Sequence, residues 1–363
     1  MSNKSFTLLV LAVISFCISS YLSINQRQRE SVLVVPKSAL SEYGFFIGEL
    51  KDLVPNDGVV PYSLNTPLFT DYALKARFVK LPKGTKASYE AKEVFDFPLG
   101  TVLIKNFYYP KDTRKPQKGR ILLETRLLIH EEKGWKAYPY IWNKEQTDAY
   151  LEVAGGSKNI VWVDKKGKKQ KLNYQIPNMN QCKGCHLVGQ EIKPIGPTAR
   201  QLNGAFAYKE GKENQLVKWK SLDILEKLPS EDEIPKVYTW NNPYEGTLEQ
   251  RARGWLDINC GHCHRAEGPA NTSGLFLDYH TEDPYQWGIF KTPVAAGRGS
   301  GGHSFAIDPG HPENSILVYR MESTDPGEMM PELGRTTVHQ EGVALVKAWI
   351  KSLDATDFKV GRE

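Results

Sequence analysis

Four of the five cysteines fall in two pairs, Cys182/Cys185 and Cys260/Cys263, and each pair is followed at once by a histidine, His186 and His264. Two thiols three residues apart with an imidazole next in the chain form the C-x-x-C-H sequence of covalent haem attachment. The spacing has a physical reason. Thiols so placed reach the two vinyl groups of one porphyrin as thioethers, and the next residue is carried round beneath the iron, where its ring nitrogen binds. With 8 His in 363 residues, random placement puts one after both pairs with a chance on the order of 1 in 2000.

Rival thiol chemistries fit less well. Zinc knuckles usually stand roughly 15 to 20 residues apart, whereas 74 residues separate Cys185 from Cys260, and zinc gives no reason for a histidine at both places. A disulfide across so tight a pair would be strained, and thioredoxin-like C-x-x-C requires a βαβ context that is absent. The reading is therefore two haem c groups, attached through Cys182, Cys185, Cys260 and Cys263, with His186 and His264 on the irons.

The elements that must position these groups change character along the chain. Residues 32–176 read as a β-rich domain, a sandwich or barrel of antiparallel strands. Arg120 to His130 alternates, with Ile121, Leu123, Thr125, Leu127 and Ile129 on one face and Glu124, Arg126 and His130 on the other. Strands are also expected at Thr101–Tyr109 and Trp135–Trp142, and a hairpin joins 160–163 to 172–176. Residues 177–240 form the first haem-binding segment, with a helix over Gln215–Leu228. In 241–363, Thr247 and Gln250 make a capping box for a helix running into Cys260, and Val343, Val346, Trp349, Ile350 and Leu353 mark a terminal amphipathic helix. The fold class is α+β and multidomain: an N-terminal antiparallel β domain, then a mainly α-helical haem domain.

The second site, a helix ending in the motif with Met330-Pro331-Glu332-Leu333-Gly334 66 residues after His264, resembles a class I cytochrome c domain over about residues 245–355. The resemblance implies His264 and Met330 as axial ligands, the methionine raising the reduction potential; core packing is the competing reading for Met330. Met321 and Met329 read as structural, and the carbonyl of Pro269 is the expected partner of His264. At the first site His186 is the proximal ligand. On the distal side, Met179 stands very near the attachment point, His130 lies on the polar face of a strand, and His280, His303, His311 and His339 belong to the second domain's sequence. An open sixth position would permit peroxide chemistry.

The whole arrangement also includes Leu64-Asn65-Thr66-Pro67-Leu68-Phe69, Phe97-Pro98-Leu99-Gly100-Thr101, Asn180-Gln181 before Cys182, and Pro194-Ile195-Gly196-Pro197. It resembles an uncharacterised family of bacterial di-haem c-type cytochromes, which implies an exported electron-transfer protein.

Lys4 precedes the apolar stretch 6–24, which reads as an export signal within residues 1–30, either cleaved or kept as a membrane anchor, with lipidation of Cys17 a third outcome. The expected location is the periplasm or the outer face of the cytoplasmic membrane. A net charge of +5, from 47 Lys+Arg against 42 Asp+Glu, excludes nucleic acid as the main partner. The basic clusters 111–120 and 165–171 read as solvated turn tips, with docking of an acidic redox partner the sharper alternative. Gly297 to Gly302 matches G-x-G-x-x-G but precedes no helix and reads as a loop, and His262 reads as a surface residue. The expected function is electron transfer between a donor and an acceptor protein through two haems, an electron carrier rather than an enzyme. The alternatives are a peroxidase-like enzyme with an open first haem and a haem-bearing binding module.

Overall fold

The computed structural model describes residues 36–358; the stretch 6–24, Cys17 and the expected targeting segment lie outside them. Among the described residues no helix is long and apolar enough to cross a membrane. The protein is of mixed α/β content, 26% helical and 28% strand. Its centre is an antiparallel sheet of β1 (Val59–Tyr62), β2 (Leu74–Lys80), β3 (Val102–Pro110), β4 (Arg120–Glu131), β5 (Gly134–Trp142) and β6 (Ala149–Leu151), ordered as in the chain. The expected hairpin forms separately from β7 (Gly156–Val163) and β8 (Lys169–Ile176).

In place of a sandwich or barrel, the sheet is open and covered on both faces. Side chains alternate along each strand, so Phe78, Ile104, Leu127 and Tyr138 line up across four strands on one face and pack with Leu40, Phe45 and Trp142. On the other face Val79, Leu103 and Leu128 meet Ala199, Leu202, Leu216, Trp219 and Ile258. That second core draws on 32–176, 177–240 and 241–363 alike, whereas the buried residues of a further core, Trp255, Leu317, Val346 and Trp349 among them, lie wholly within 241–363.

Strand β4 departs from strict alternation. Phe107 faces Glu124 but Tyr108 faces Leu122, which leaves Leu123 as the extra residue of a β-bulge. Past the bulge the parity flips: Leu123 joins Phe107, Tyr109 and Tyr174 rather than the Leu127 face. The expected polar face is not solvated either, since Glu124 is fully buried.

Helices α1 (Met179–His186), α2 (Gln215–Ser221), α3 (Leu248–Leu256), α4 (Ile316–Glu322) and α5 (Gln340–Ser352) follow. Helix α2 stops well short of Leu228: Asp223 takes a positive φ of 59°, and Leu225–Glu226 pairs in parallel with Ala87–Ser88 instead. Helix α3 carries the expected Thr247/Gln250 capping box. It packs directly on α5, where a Cβ added at Gly342 would stand 2.6 Å from the Trp255 ring.

One connection, residues 64–72 between β1 and β2, ties these parts together. Asn65 Nδ2 reaches the carbonyls of Arg200, Asn203 and Val237 at 3.0–3.2 Å. Thr66 Oγ1 donates to the Tyr238 carbonyl at 2.8 Å, and Phe69 N–H donates to Asn259 Oδ1 at 2.8 Å. The buried Asp71 carboxylate accepts from the N–H and hydroxyl of both Thr336 and Thr337 at 2.8–3.0 Å.

His339 closes the same junction. Its ring stacks on Phe69 at 4.3 Å, and its Nδ1 accepts from Trp255 Nε1–H at 3.2 Å. Burial lowers its pKa from 6.5 to about 4, so the fold prefers the neutral ring. Its contribution is whole above pH 6.5 and is lost as pH falls toward 4, about 3 kcal/mol at 1.36 kcal/mol per unit. Denaturant titrations between about pH 8 and pH 4 are expected to show that loss in the native chain and a smaller one in His339→Gln; equal pH slopes in the two proteins would rule this residue out.

Candidate functional site

The first motif occupies α1, which Asn178 caps by accepting from Gln181 N–H while Gln181 Oε1 accepts from Asn178 N–H. Positions i, i+3 and i+4 share a helix face, so Cys182, Cys185 and His186 point one way. The short hairpin Leu187–Val188/Glu191–Ile192 then brings the Lys193 carbonyl to 2.7 Å from His186 Nδ1. A carbonyl only accepts, so Nδ1 holds the proton and Nε2 keeps its lone pair, the arrangement a metal-binding imidazole needs. Burial lowers the His186 pKa to about 4, which keeps the ring neutral.

The second motif follows α3 without a break, through a wide π turn at Asp257–Gly261. Cys263 and His264 both donate their backbone N–H to the Cys260 carbonyl, at 3.1 and 2.9 Å. His264 Nδ1 lies 3.4 Å from Ser273 Oγ, whose own hydrogen goes to the Ala270 carbonyl at 2.7 Å; Ser273 Oγ thus accepts from Nδ1–H. Ser273 takes the place expected for the Pro269 carbonyl, because the turn at Asn271–Ser273 folds back over the ring. Burial lowers the His264 pKa to about 4, and a hydrogen bond to the Leu275 backbone opposes the shift.

The two motifs, 78 residues apart from Cys185 to Cys263, touch. Cys263 Sγ donates to the Gly184 carbonyl at 3.4 Å. The ligand atoms of Cys185, His262 and Cys263 lie within 4.8 Å of one another. Hydrogen bonds from Cys263 and His262 outweigh burial and lower the Cys185 thiol to about 4, and the same contact drives Cys263 upward. His262 is therefore no surface residue: it is half-buried and its Nδ1 has no hydrogen-bond partner. Its position between two cysteines concealed this, since the facing thiol comes from the other motif. All four cysteines are free of disulfides.

Two cavities meet at Cys185, His186 and His262. The larger, about 1060 Å³, also holds Met179, Lys183, His130 and Trp135. His130 stacks on Trp135 at 4.7 Å with Nδ1 2.8 Å from the Phe97 carbonyl, so the expected strand-face histidine in fact looks into the space beside His186. The smaller, about 130 Å³, is lined by Cys182, Met330, Pro331 and His339. Met330 therefore shares a cavity with His186, and His264 lines neither of the two. Met330 and His264 are linked instead through Arg320, whose carbonyl accepts from Met330 N–H at 2.9 Å and whose charge bears on His264. Met321 and Met329 are buried, and Met321 lines the smaller cavity with Met330. Gly297–Ser300 forms a single tight turn with no helix behind it.

At the first motif, thiols that line a cavity and a neutral imidazole with an open Nε2 fit a tetrapyrrole held by two sulfurs and one nitrogen; Cys260, Cys263 and His264 line neither cavity. Comparison of the chain with models of known families, with curated proteins and with solved structures gives no match.

Glycine spacing inside the motifs makes a test. A Cβ at Gly261 would stand 2.9–3.1 Å from the backbone of Leu277 and Asp278, whereas one at Gly184 meets only the Leu333 Cδ1 tip at 3.0 Å. Gly261→Ala is expected to destabilise by about 1–3 kcal/mol through overpacking and Gly184→Ala by less, measured by denaturant unfolding; the reverse order would contradict this placement of the second motif.

Proposed function

We propose that this protein is an exported di-haem c-type cytochrome that relays electrons between a donor and an acceptor protein. The contact between the two C-x-x-C-H motifs is the observation that carries the reading. A linked pair of one-electron centres is what serves a relay, and here the sulfurs that would anchor them lie side by side. Bound haem supplies the ferric/ferrous couple. The chain's residues hold and orient: Cys182, Cys185, Cys260 and Cys263 attach, the Lys193 carbonyl and Ser273 fix the imidazole tautomers, and burial keeps both rings neutral. No protein acid, base or nucleophile is required.

On this reading residues 245–355 form a class I cytochrome c-like unit with His264 and Met330 as ligands, and the packing of α3 on α5 supports it. Residues 6–24 direct the chain across the membrane, because attachment takes place outside the cytoplasm. The basic turns 111–120 and 165–171 lie together, since Val163 N–H donates to the Lys111 carbonyl at 3.1 Å; that joint cationic surface suits an acidic redox partner.

The Cys185–His262–Cys263 cluster favours a second reading, a single zinc ion on two thiolates and one imidazole. It leaves His186, His264, Cys182 and Cys260 without a role.

A pyridine haemochrome assay on protein matured in an exporting host is expected to find two covalent haems per chain. Cys182→Ala/Cys185→Ala and Cys260→Ala/Cys263→Ala should each leave one. About one zinc per chain with no covalent haem would establish the second reading. The carrier further requires a low-spin spectrum indifferent to carbon monoxide and peroxide; a reactive high-spin component would favour the peroxidase-like enzyme.

A further inference from the structure

Three cations stand directly opposite one another in the middle of the sheet. Arg77 on β2 pairs in register with Lys105 on β3, and Lys105 with Arg126 on β4. Like charges in directly opposed positions destabilise a sheet, and these are largely withdrawn from solvent. One carboxylate answers them: the buried Glu124 takes Arg126 in a two-pronged pair at 2.6 and 2.8 Å. Arg77 is 6% exposed and its Nη2 has no hydrogen-bond partner. Lys105 and Arg126 crowd the Phe107 ring at 4.9 and 4.3 Å. Burial and the neighbouring cations push the Lys105 pKa far down, and an anion beside it would restore its charge.

All three cations line the smaller cavity, together with Cys182, Cys185 and His186. We infer that Arg77, Lys105 and Arg126 form a binding site for the carboxylates of the tetrapyrrole held by Cys182 and Cys185. This rests on the two-haem reading. The chemistry closes on both sides: the row has a single carboxylate, Glu124, for three basic side chains, and the group attached beside it carries two propionates. A guanidinium binds a carboxylate in parallel two-point fashion, and the ammonium adds a point charge. A cavity of about 130 Å³ admits such side groups. The same positive charge favours the iron's added electron, so the row also raises the reduction potential of this haem.

The test uses the full protein carrying both haems, with Lys105→Met and Lys105→Arg. Lys105→Met relieves repulsion within the row and so preserves folding, whereas truncating Arg126 would strand Glu124. Redox titration followed by absorbance should show two waves, the first haem's wave being assigned with Cys260→Ala/Cys263→Ala. Lys105→Met is expected to shift the reduction equilibrium of that haem at least tenfold toward the oxidised form, about 59 mV lower for one electron. Lys105→Arg should hold it near the native value, with the second haem unmoved. An unchanged first wave in Lys105→Met, a shift confined to the second haem, or an equal shift in Lys105→Arg would overturn the assignment. Fewer than two haems in the native protein would instead overturn the underlying reading.

Discussion

The site depends on the tie between the two cysteine motifs, to which residues 65–71 contribute beside the direct Gly189 N–H to Glu267 carbonyl bond at 2.8 Å. Seventy-seven residues of chain lie between Cys185 and Cys263, and closing a loop of that size opposes the contact entropically. A weak S–H···O bond to Gly184 does not offset it. The offset comes from the Gly189–Glu267 bond and from Asn65, Thr66, Phe69 and Asp71, which bind Arg200, Asn203, Val237, Tyr238, Asn259 and the Thr336–Thr337 pair. Each bond is worth only about 1 kcal/mol net, yet Asp71 and Asn259 are buried and an unsatisfied polar group there would cost more. The arrangement is therefore all-or-none: the connection between β1 and β2 fixes the returning chain at several points or at none. Arg200 and Asp257, paired at 3.0 Å at the entrance to the π turn, add a charged tether at the same junction.

The sheet face beneath the motifs divides into two zones along the same strands. Val79, Leu103 and Leu128 come first and close a core with Trp219 and Ile258. Two residues further along each strand, the pleat presents Arg77, Lys105 and Arg126. Folding the first zone therefore forces the second into the interior, because the period of two fixes both together. The apolar zone supplies the free energy and the cationic zone consumes part of it. On the inference above, the carboxylates of the attached group would resolve that conflict, and mass action would then return the stability on binding.

Much of this was legible from residue types. Strands β3, β4, β5 and the β7–β8 hairpin follow from alternation and turn residues, and α3 from its Thr247/Gln250 box, since these are local signals. The bulge at Leu123 was not, because a bulge is a relation between two strands and β4 alone reads as regular. Helix α2 is shorter than its Leu222 and Leu225 suggest; Ala87–Ser88, more than a hundred residues upstream, captures Leu225–Glu226 as strand. Glu124 and Arg126 look solvated by alternation, since one strand's sequence does not reveal that the second face is covered too. His262 fails for the same reason: its neighbours in sequence are its own motif's cysteines, while its partner in space is Cys185.

On the two-haem reading, the slow step of a relay lies outside the protein. The sulfurs of Cys185 and Cys263 lie within 4.8 Å, so on the two-haem reading no protein layer intervenes between the attached groups, and exchange between them is not limited by reach. What remains is entry and exit, which depend on encounter with another protein. The clustered lysines of 111–120 and 165–171 line neither cavity at the motifs, so they would orient a partner by field rather than by contact with a haem edge. Steering of that kind governs association rate and weakens with salt, which makes docking, rather than internal transfer, the stage at which such a protein is controlled.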